Sequence, residues 1–335
     1  MKWKVFCCLM LISLVFFGCG KEEISNEKVV GWGANNFGET DIPADLKDVD
    51  KVVAGTNYSL ALIKDGSVVA WGKNDKGQTD VPLNLVEVVN IASGGDFSLA
   101  LKKDGTVVAW GNNDKGQTDV PSNLNDIVKI VPGYDYSIVI KIDGSLVGWG
   151  ANEYEQLDFP SDLSSVVQII PLRTWVIALK SDGRIVSWGS GIPKRVAVES
   201  FVDIKEIVVS DTFNNIIGLK NDGTIVEESM SFPDIKILPG NLNFVEHISG
   251  DLGNIAILQS NGLLTIGLSP NIFENINNVK TVTCGINTVV ILKTDETLEL
   301  RGDNFSNLDI PQGLIDVASV SVGPSHILAI GKIKK

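Results

Sequence analysis

Histidine is nearly missing from this chain: His247 and His326 are the only two. That leaves little for a zinc site and little for a histidine-based triad. Cysteine is as sparse in the body of the sequence. Of the four, Cys7, Cys8 and Cys19 come before residue 20 and Cys284 stands alone after it, which excludes a disulfide scaffold. Basic residues are in deficit, with 28 Lys and Arg against 41 Asp and Glu and a net charge of −13. So acidic a chain repels phosphate backbones, and nucleic acid is not an expected partner. There is no G-x-S-x-G or H-E-x-x-H motif and no calcium-hand pattern. No catalytic residue, metal or cofactor is therefore expected, and the chain reads as no enzyme. What it does have is 33 glycines and 44% apolar residues over 335 positions. That supports a folded core, in two domains or one large repeat array.

The first 18 residues read as an export signal. Lys2 and Lys4 form a basic start, and Val5 to Phe17 is apolar but too short to span a membrane as a mature helix. The stretch ends Phe16-Phe17-Gly18-Cys19, which resembles the bacterial lipoprotein cleavage box. The resemblance implies that Cys19 becomes the lipidated N-terminus and that the protein is held at a membrane of the bacterial envelope, the outer one by the Gly20 that follows. Residues 19–28 then form a short tether, so the folded part sits close to the membrane. Residues 332–335 read as a basic tail. Cys284, in an apolar strand context, reads as buried and inert.

From residue 29 to 331 the chain repeats. Trp-Gly recurs at Trp32, Trp71, Trp110, Trp149 and Trp188, every interval being 39 residues, and residues 68–82 match 107–121 at 14 of 15 positions. Each unit holds three short strands, as at 51–54, 59–63 and 68–71. A tight turn joins the second to the third: Asp65-Gly66, then Asp104-Gly105, Asp143-Gly144, Asp182-Gly183 and Asp222-Gly223. Asn261-Gly262 replaces it once, and Asp295-Glu296 has lost the glycine. No stretch shows helical periodicity. The array is all-β, and a three-strand unit per 39 residues fits a β-propeller blade.

The Trp-Gly strand or its relic occurs eight times, and so does the strand typified by Ser59-Leu60-Ala61-Leu62. The chain opens on a Trp-Gly strand without its partner and closes on the missing partner, His326 to Ile330. The two ends are halves of one unit, which predicts a closed ring of eight blades without free edges. Seven blades with one unit outside the ring is the alternative.

One unit reads Gly-x-x-aromatic-Ser-Leu-Ala-Leu-x-x-Asp-Gly-x-Val-x-x-Trp-Gly-x-Asn-x-x-Gly-Gln, best carried by Gly55–Gln78, Gly94–Gln117 and Gly133–Gln156. This resembles the regulator-of-chromosome-condensation repeat. In repeat length it is also similar to the secreted bacterial β-lactamase-inhibiting propeller of that superfamily. The resemblance implies the propeller fold and a face that binds a protein. It does not carry over nucleotide exchange or chromatin binding, since an exported acidic protein meets neither partner.

Four aromatics at one slot, Tyr58, Phe97, Tyr136 and Trp175, stand in successive units. If exposed together at one end of the axial channel, they would be interface anchors. Packing of blade against blade is the other reading. The slot continues as Asn215, Asn254, Thr288 and His326. The five tryptophans read as structural wedges between blades, replaced later by Glu227, Ile266 and Arg301. The polar loops after Trp-Gly read as turns held by local side-chain bonds. The expected protein is a monomeric, exported, lipid-anchored propeller that binds an unknown protein through one face. Glycan binding or cleavage, and a structural role in the envelope, are the alternatives.

Overall fold

The computed structural model describes residues 27–191, 201–210, 215–229, 238–239, 242–251, 254–268, 272–285, 288–302 and 309–334. The export signal, Cys19 and most of the tether lie outside them. Every regular element among these residues is a strand. After β1 (Lys28–Gly33), seven sheets follow in order. The first is β2 (Val49–Ala54), β3 (Tyr58–Ile63) and β4 (Val68–Gly72); the second is β5 (Val88–Ser93), β6 (Phe97–Lys102) and β7 (Val107–Gly111). The third is β8 (Ile127–Pro132), β9 (Tyr136–Lys141) and β10 (Leu146–Gly150); the fourth is β11 (Val166–Pro171), β12 (Trp175–Lys180) and β13 (Ile185–Gly189). The fifth is β14 (Ile204–Ser210), β15 (Asn215–Lys220) and β16 (Ile225–Ser229). The sixth has four strands, β17 (Val245–Asp251), β18 (Asn254–Gln259), β19 (Leu264–Leu268) and β20 (Ile272–Ile276). The seventh is β21 (Val279–Gly285), β22 (Thr288–Lys293) and β23 (Leu298–Arg301).

The eighth sheet joins β24 (Leu314–Val322) and β25 (His326–Ile333) to β1 from the other end of the chain. Lys28 faces Gly331 and Gly33 faces His326. This is the complementary closure expected from the two half-units, and eight blades are what the chain forms. Strand β25 runs two residues beyond the expected end of the propeller, into what reads as a basic tail.

Among the described residues no ladder joins one sheet to the next. The expected closed ring is thus not closed as a sheet: eight separate sheets stand side by side, linked by packing and by single hydrogen bonds across the seams. Each seam has its own apolar core. Leu60, Leu62 and Tyr58 of the first blade meet Val88, Ile91 and Trp110 of the second. The cycle comes round to Leu328 and Ile330 of the eighth blade, which meet Val52, Ala61 and Trp71 of the first. Middle strands serve two seams at once, so β3, β6, β9, β12, β15 and β22 are buried at their first five positions. That is why Ser-Leu-Ala-Leu is apolar on both faces instead of alternating.

A backbone clasp repeats across the seams. The residue just before each of the first seven inner strands is left-handed: Asp48, Glu87, Asp126, Ser165, Asp203, Phe244 and Asn278, with φ from 52° to 61°; in β24 the left-handed residue is Asp316, within the strand. That conformation brings the next amide onto the turn of the preceding blade. Val88 N donates to Gly66 O at 3.0 Å, Val166 N to Gly144 O at 3.1 Å, Val245 N to Gly223 O at 3.0 Å and Val279 N to Gly262 O at 3.0 Å. The turn glycine is required twice over. At Gly105, φ is 79°, and a Cβ would stand 3.1 Å from Asp126 N. The aspartate before it folds the turn: Asp104 Oδ1 accepts from Thr106 N at 3.0 Å and from Thr106 Oγ1 at 2.6 Å.

The 39-residue spacing holds for four units and then breaks. Register shows the consequence. In the tryptophan slot, Trp71 faces Ser59, while Ile216 faces Glu228 and Ile255 faces Gly267. The replacements are therefore Glu228, Gly267 and Arg301, and the expected Glu227 and Ile266 each sit one residue off. Cys284 is half-buried, not buried, with its thiol 3.5 Å from Ser249 O.

The seventh turn offers a test. Glu296 holds φ 68° where the other blades place glycine or keep Asn-Gly, and its carboxyl, bonded to Asp316, is pushed up from the usual range. A side chain there carries a left-handed penalty of about 1 kcal/mol. Glu296→Gly should raise stability by about that amount in urea unfolding. An unchanged or lower midpoint would show that the turn has no strain to relieve.

Candidate binding face

Inner strands contact one another in cyclic order, β2, β5, β8, β11, β14, β17, β21, β24 and again β2. They therefore surround the axis. Turns from inner to middle strands mark one end of it, here the upper face, and the Asp-Gly turns mark the lower face.

The four aromatics do not form an exposed arc. Tyr58, Phe97, Tyr136 and Trp175 are 0%, 0%, 1% and 7% exposed, and the proposed aromatic binding face is corrected accordingly. The reason lies three residues earlier. A Cβ on Gly55 would meet the Tyr58 ring at 2.7 Å, on Gly94 the Phe97 ring at 2.0 Å and on Gly133 the Tyr136 ring at 2.5 Å. Gly-x-x-aromatic is thus a packing motif: the ring folds under its own turn and into the seam. There the hydroxyl staples the next blade. Tyr58 Oη donates to Phe97 O at 2.5 Å, and Tyr136 Oη to Leu172 O at 2.7 Å. In the sixth blade an asparagine does the same work. Asn254 Nδ2 donates to Gly285 O at 3.4 Å.

The tryptophans are wedges, as expected. All five are 5–8% exposed. Each indole N–H from Trp71 onward donates across the seam to a carbonyl 32 residues earlier: Trp71 to Glu39 at 3.0 Å, Trp110 to Gln78 at 3.0 Å, Trp149 to Gln117 at 2.9 Å and Trp188 to Gln156 at 2.9 Å. The loops that present those carbonyls are held locally, again as expected. Asn74 Nδ2 donates to Asp80 Oδ1 at 2.7 Å, and Thr79 N to Asn74 Oδ1 at 3.0 Å.

The upper turns place the residue after Gly55, Gly94, Gly133 and Leu172 at the mouth of the axis. Thr56, Gly95, Tyr134 and Arg173 hold this place in the first four blades. Gly95 leaves room for the next turn, its N–H donating to Tyr134 O at 3.2 Å. The Tyr134 side chain stands 60% exposed, and the Arg173 guanidinium lies 5.9 Å from its ring centroid. Both rim an axial cavity of 840 Å³ lined from six blades. Its wall mixes apolar Pro132, Ile170, Leu172, Val208 and Val209 with polar Thr56, Ser93 and Gln168. Lysine–carboxylate pairs bridge successive loops near the rim, Lys76 to Asp114 at 2.7 Å and Lys115 to Glu153 at 2.6 Å. Exposed pairs of this kind add little stability. Burial lifts the Asp135 carboxyl above its usual range, with Lys115 opposing.

Below this mouth the inner strands carry a polar collar that sequence reasoning missed. Lys51 Nζ donates to Asn90 Oδ1 at 2.7 Å, Gln168 holds both Ile207 O at 2.9 Å and Ile207 N at 3.1 Å, and Glu206 lies 3.2 Å from His247 Nδ1. One polar residue in the same place of each inner strand is the signal that was available.

His326 Nε2 lies 2.8 Å from Ser59 Oγ, a nucleophile–base distance. Both residues are fully buried, and the hydroxyl already donates to Glu39 O at 2.7 Å. The imidazole is the eighth copy of the aromatic slot, stapling the last blade to the first. No substrate reaches it.

Residues 49–78 and 88–117 match the family described as "Regulator of chromosome condensation (RCC1) repeat". Those two stretches, in the first and second blades, carry the RCC1 repeat. No curated protein sequence matches it. Among solved structures it is similar to Prp20p from Saccharomyces cerevisiae, which was described with its binding to Gsp1p and histones. The TM-score is 0.58 and the identity 18%, over 94% of this chain and 93% of that one. Human WBSCR16 gives 0.58 and 15%, over 92% and 99%. The CRINKLY WD40 ectodomain of the Arabidopsis thaliana receptor kinase ACR4 gives 0.53 and 17%, over 78% and 96%. At these identities the likeness is one of fold.

The staple at His326 predicts a pH dependence. Burial pushes the imidazole down to about 4 from 6.5. Its folded value lies below its unfolded one, so the unfolded chain takes up the proton first. Stability is therefore lost as pH falls from about 6.5 to about 4, by about 3 kcal/mol. His326→Phe should lose about 3 kcal/mol less than the wild type between pH 7 and pH 4 in urea unfolding. Parallel losses would contradict the assignment.

Proposed function

We propose that the protein is an exported, lipid-anchored, non-catalytic propeller of the bacterial envelope that binds a protein partner on its upper face, around the axial cavity. The observation that carries this reading is the Tyr134–Arg173 pair at the cavity rim. An exposed tyrosine backed by an arginine, beside a partly apolar recess, is the composition of an interface anchor. Prp20p, of similar fold, was described as binding Gsp1p and histones; this chain takes from it only the notion of a propeller that binds protein. Its own acidity and its leader direct it to a different partner. The lipid anchor rests on Cys19 and the apolar leader, and the outer membrane on Gly20.

A photo-crosslinking residue in place of Tyr134 tests the site in intact producing cells. A discrete adduct is expected from position 134, lost when Arg173→Ala and Leu172→Ala are added. The same probe at Ile142 on the lower face should give no adduct of that mass. Adducts from 142 and none from 134 would place the partner elsewhere.

A further inference from the structure

The lower face carries the larger share of exposed aliphatic side chains, and the way it is built explains why. In seven inner strands the register slips by one residue after the first position, leaving an extra residue at the lower mouth of the axis. Bulges of this kind re-aim a side chain. The bulge residues are Asp50, Val89, Val128, Val167, Lys205, Glu246 and Lys280, all exposed. Three consecutive blades thus present valine. Ile142 adds to them from an Asp-Gly turn, 78% exposed, and Phe244 from a left-handed position, 76% exposed. Val202, beside the left-handed Asp203, is a further exposed aliphatic on this side.

The N-terminus leaves on the same side. Gly33 pairs with His326 at the upper end of β25 and Lys28 with Gly331 at the lower end, so β1 starts at the lower face. Glu27 lies 3.9 Å from Lys64, next to the Asp65-Gly66 turn. Cys19 precedes Glu27 by eight residues, a reach of at most about 28 Å. The ring is about 20 Å deep, the length of a six-residue strand. A lipid on Cys19 therefore reaches a bilayer below the ring with chain to spare. To lay the upper face on the bilayer, the tether would have to spend most of its length climbing the flank.

We propose that the lower face is the membrane-apposed face, with Val89, Val128, Val167, Ile142, Val202 and Phe244 resting in the headgroup layer of a zwitterionic bilayer. The proposal rests on the lipid-anchor reading and deepens it, because it turns the partner-binding rim away from the membrane. The lipid charge follows from the turns. Asp65, Asp104, Asp143, Asp222 and Asp295 ring this face, and hydrogen bonds from the Ser or Thr two residues on hold each carboxyl below its usual range. They stay ionised beside Lys102, Lys141, Lys220 and Lys293, so the face carries both signs and suits a zwitterionic headgroup layer. Burial of apolar side chains at the headgroup boundary supplies the attraction.

Hydroxyl-radical footprinting tests this with the native side chains. The chain from Cys19 onward, with Cys284→Ser, is coupled through the Cys19 thiol to a maleimide lipid in phosphatidylcholine vesicles, and compared with the uncoupled protein. Oxidation of Phe244, Ile142 and Val128 should fall several-fold on coupling, while Tyr154, Phe37 and Tyr134 keep their solution rates. Unchanged rates at the lower face, or protection of Tyr154 instead, would overturn the proposal. Protection of the same lower-face residues in the uncoupled protein as its concentration rises would assign the face to a second copy and overturn it as well. The mass of the N-terminal peptide from producing cells reads the anchor separately. An unacylated Cys19 overturns the anchor reading and this proposal with it; an acylated Cys19 with an unprotected lower face overturns the proposal alone.

Discussion

Eight small sheets with no hydrogen-bonded ladder between them must be held by what passes across their seams. The clasp common to six seams is a single backbone bond: the turn glycine's carbonyl accepts from the amide that opens the next inner strand. For that bond to form, two backbone conditions must hold together. The turn needs a residue at positive φ without a Cβ in the way, and the approach to the next strand needs a left-handed residue. Asp-Gly turns meet the first. Asp, Asn, Ser or Glu before most inner strands meets the second, and Asp and Asn are the residues that tolerate it best. A three-stranded sheet with both faces apolar has no stability alone, so the clasp fixes the angle at which each apolar face meets the next.

The first four blades reinforce this clasp in one way and the later blades in others. From Trp71 to Trp188 the indole fills the seam and donates to the previous loop. In the fifth to seventh blades that slot is Glu228, Gly267 and Arg301, and the seams rely on aliphatic cores such as Ile217, Leu219, Ile248 and Ile257. The closing seam uses His326 on Ser59 where other blades use tyrosine on a carbonyl or hydroxyl. The difference reaches the surface, because the first four blades also carry the cavity rim of Thr56, Gly95, Tyr134 and Arg173, the last two exposed. One half of the ring is regular and bears the candidate site. The other half has drifted within the same backbone scheme.

The fold was legible because a repeat states its own register. Five Trp-Gly pairs at one interval defined the blade, and two unmatched half-units at the ends defined the closure. Tracking by a fixed interval failed at Glu228 and Gly267, since one extra residue between Trp188 and Glu228 shifts both slots. The candidate site was less legible. Tyr58, Phe97, Tyr136 and Trp175 looked like interface anchors because aromatics at one slot suit either a surface or a seam, and spacing alone does not say which. The glycine three residues before the first three decides it, by vacating the volume each ring fills. Tyr134 and Arg173 were passed over because they occupy a variable place in the motif, which is where a repeat leaves room for function. The lower-face valines were hidden by the bulge, which no hydrophobic pattern displays.

The cycle of seams explains how one chain can offer two different faces at fixed separation, one on the side where β1 starts and one around the axial cavity. Its central claim is that the seams are as strong as the sheets. Native-state hydrogen exchange measures this directly at the amides of Val88, Ile127, Val166, Ile204, Val245 and Val279. The account predicts that they exchange only through global unfolding, with the same opening free energy as middle-strand amides such as those of Leu60 and Leu99. Exchange of the six through local opening, while the middle strands stay protected, would contradict it and make the blades independent units.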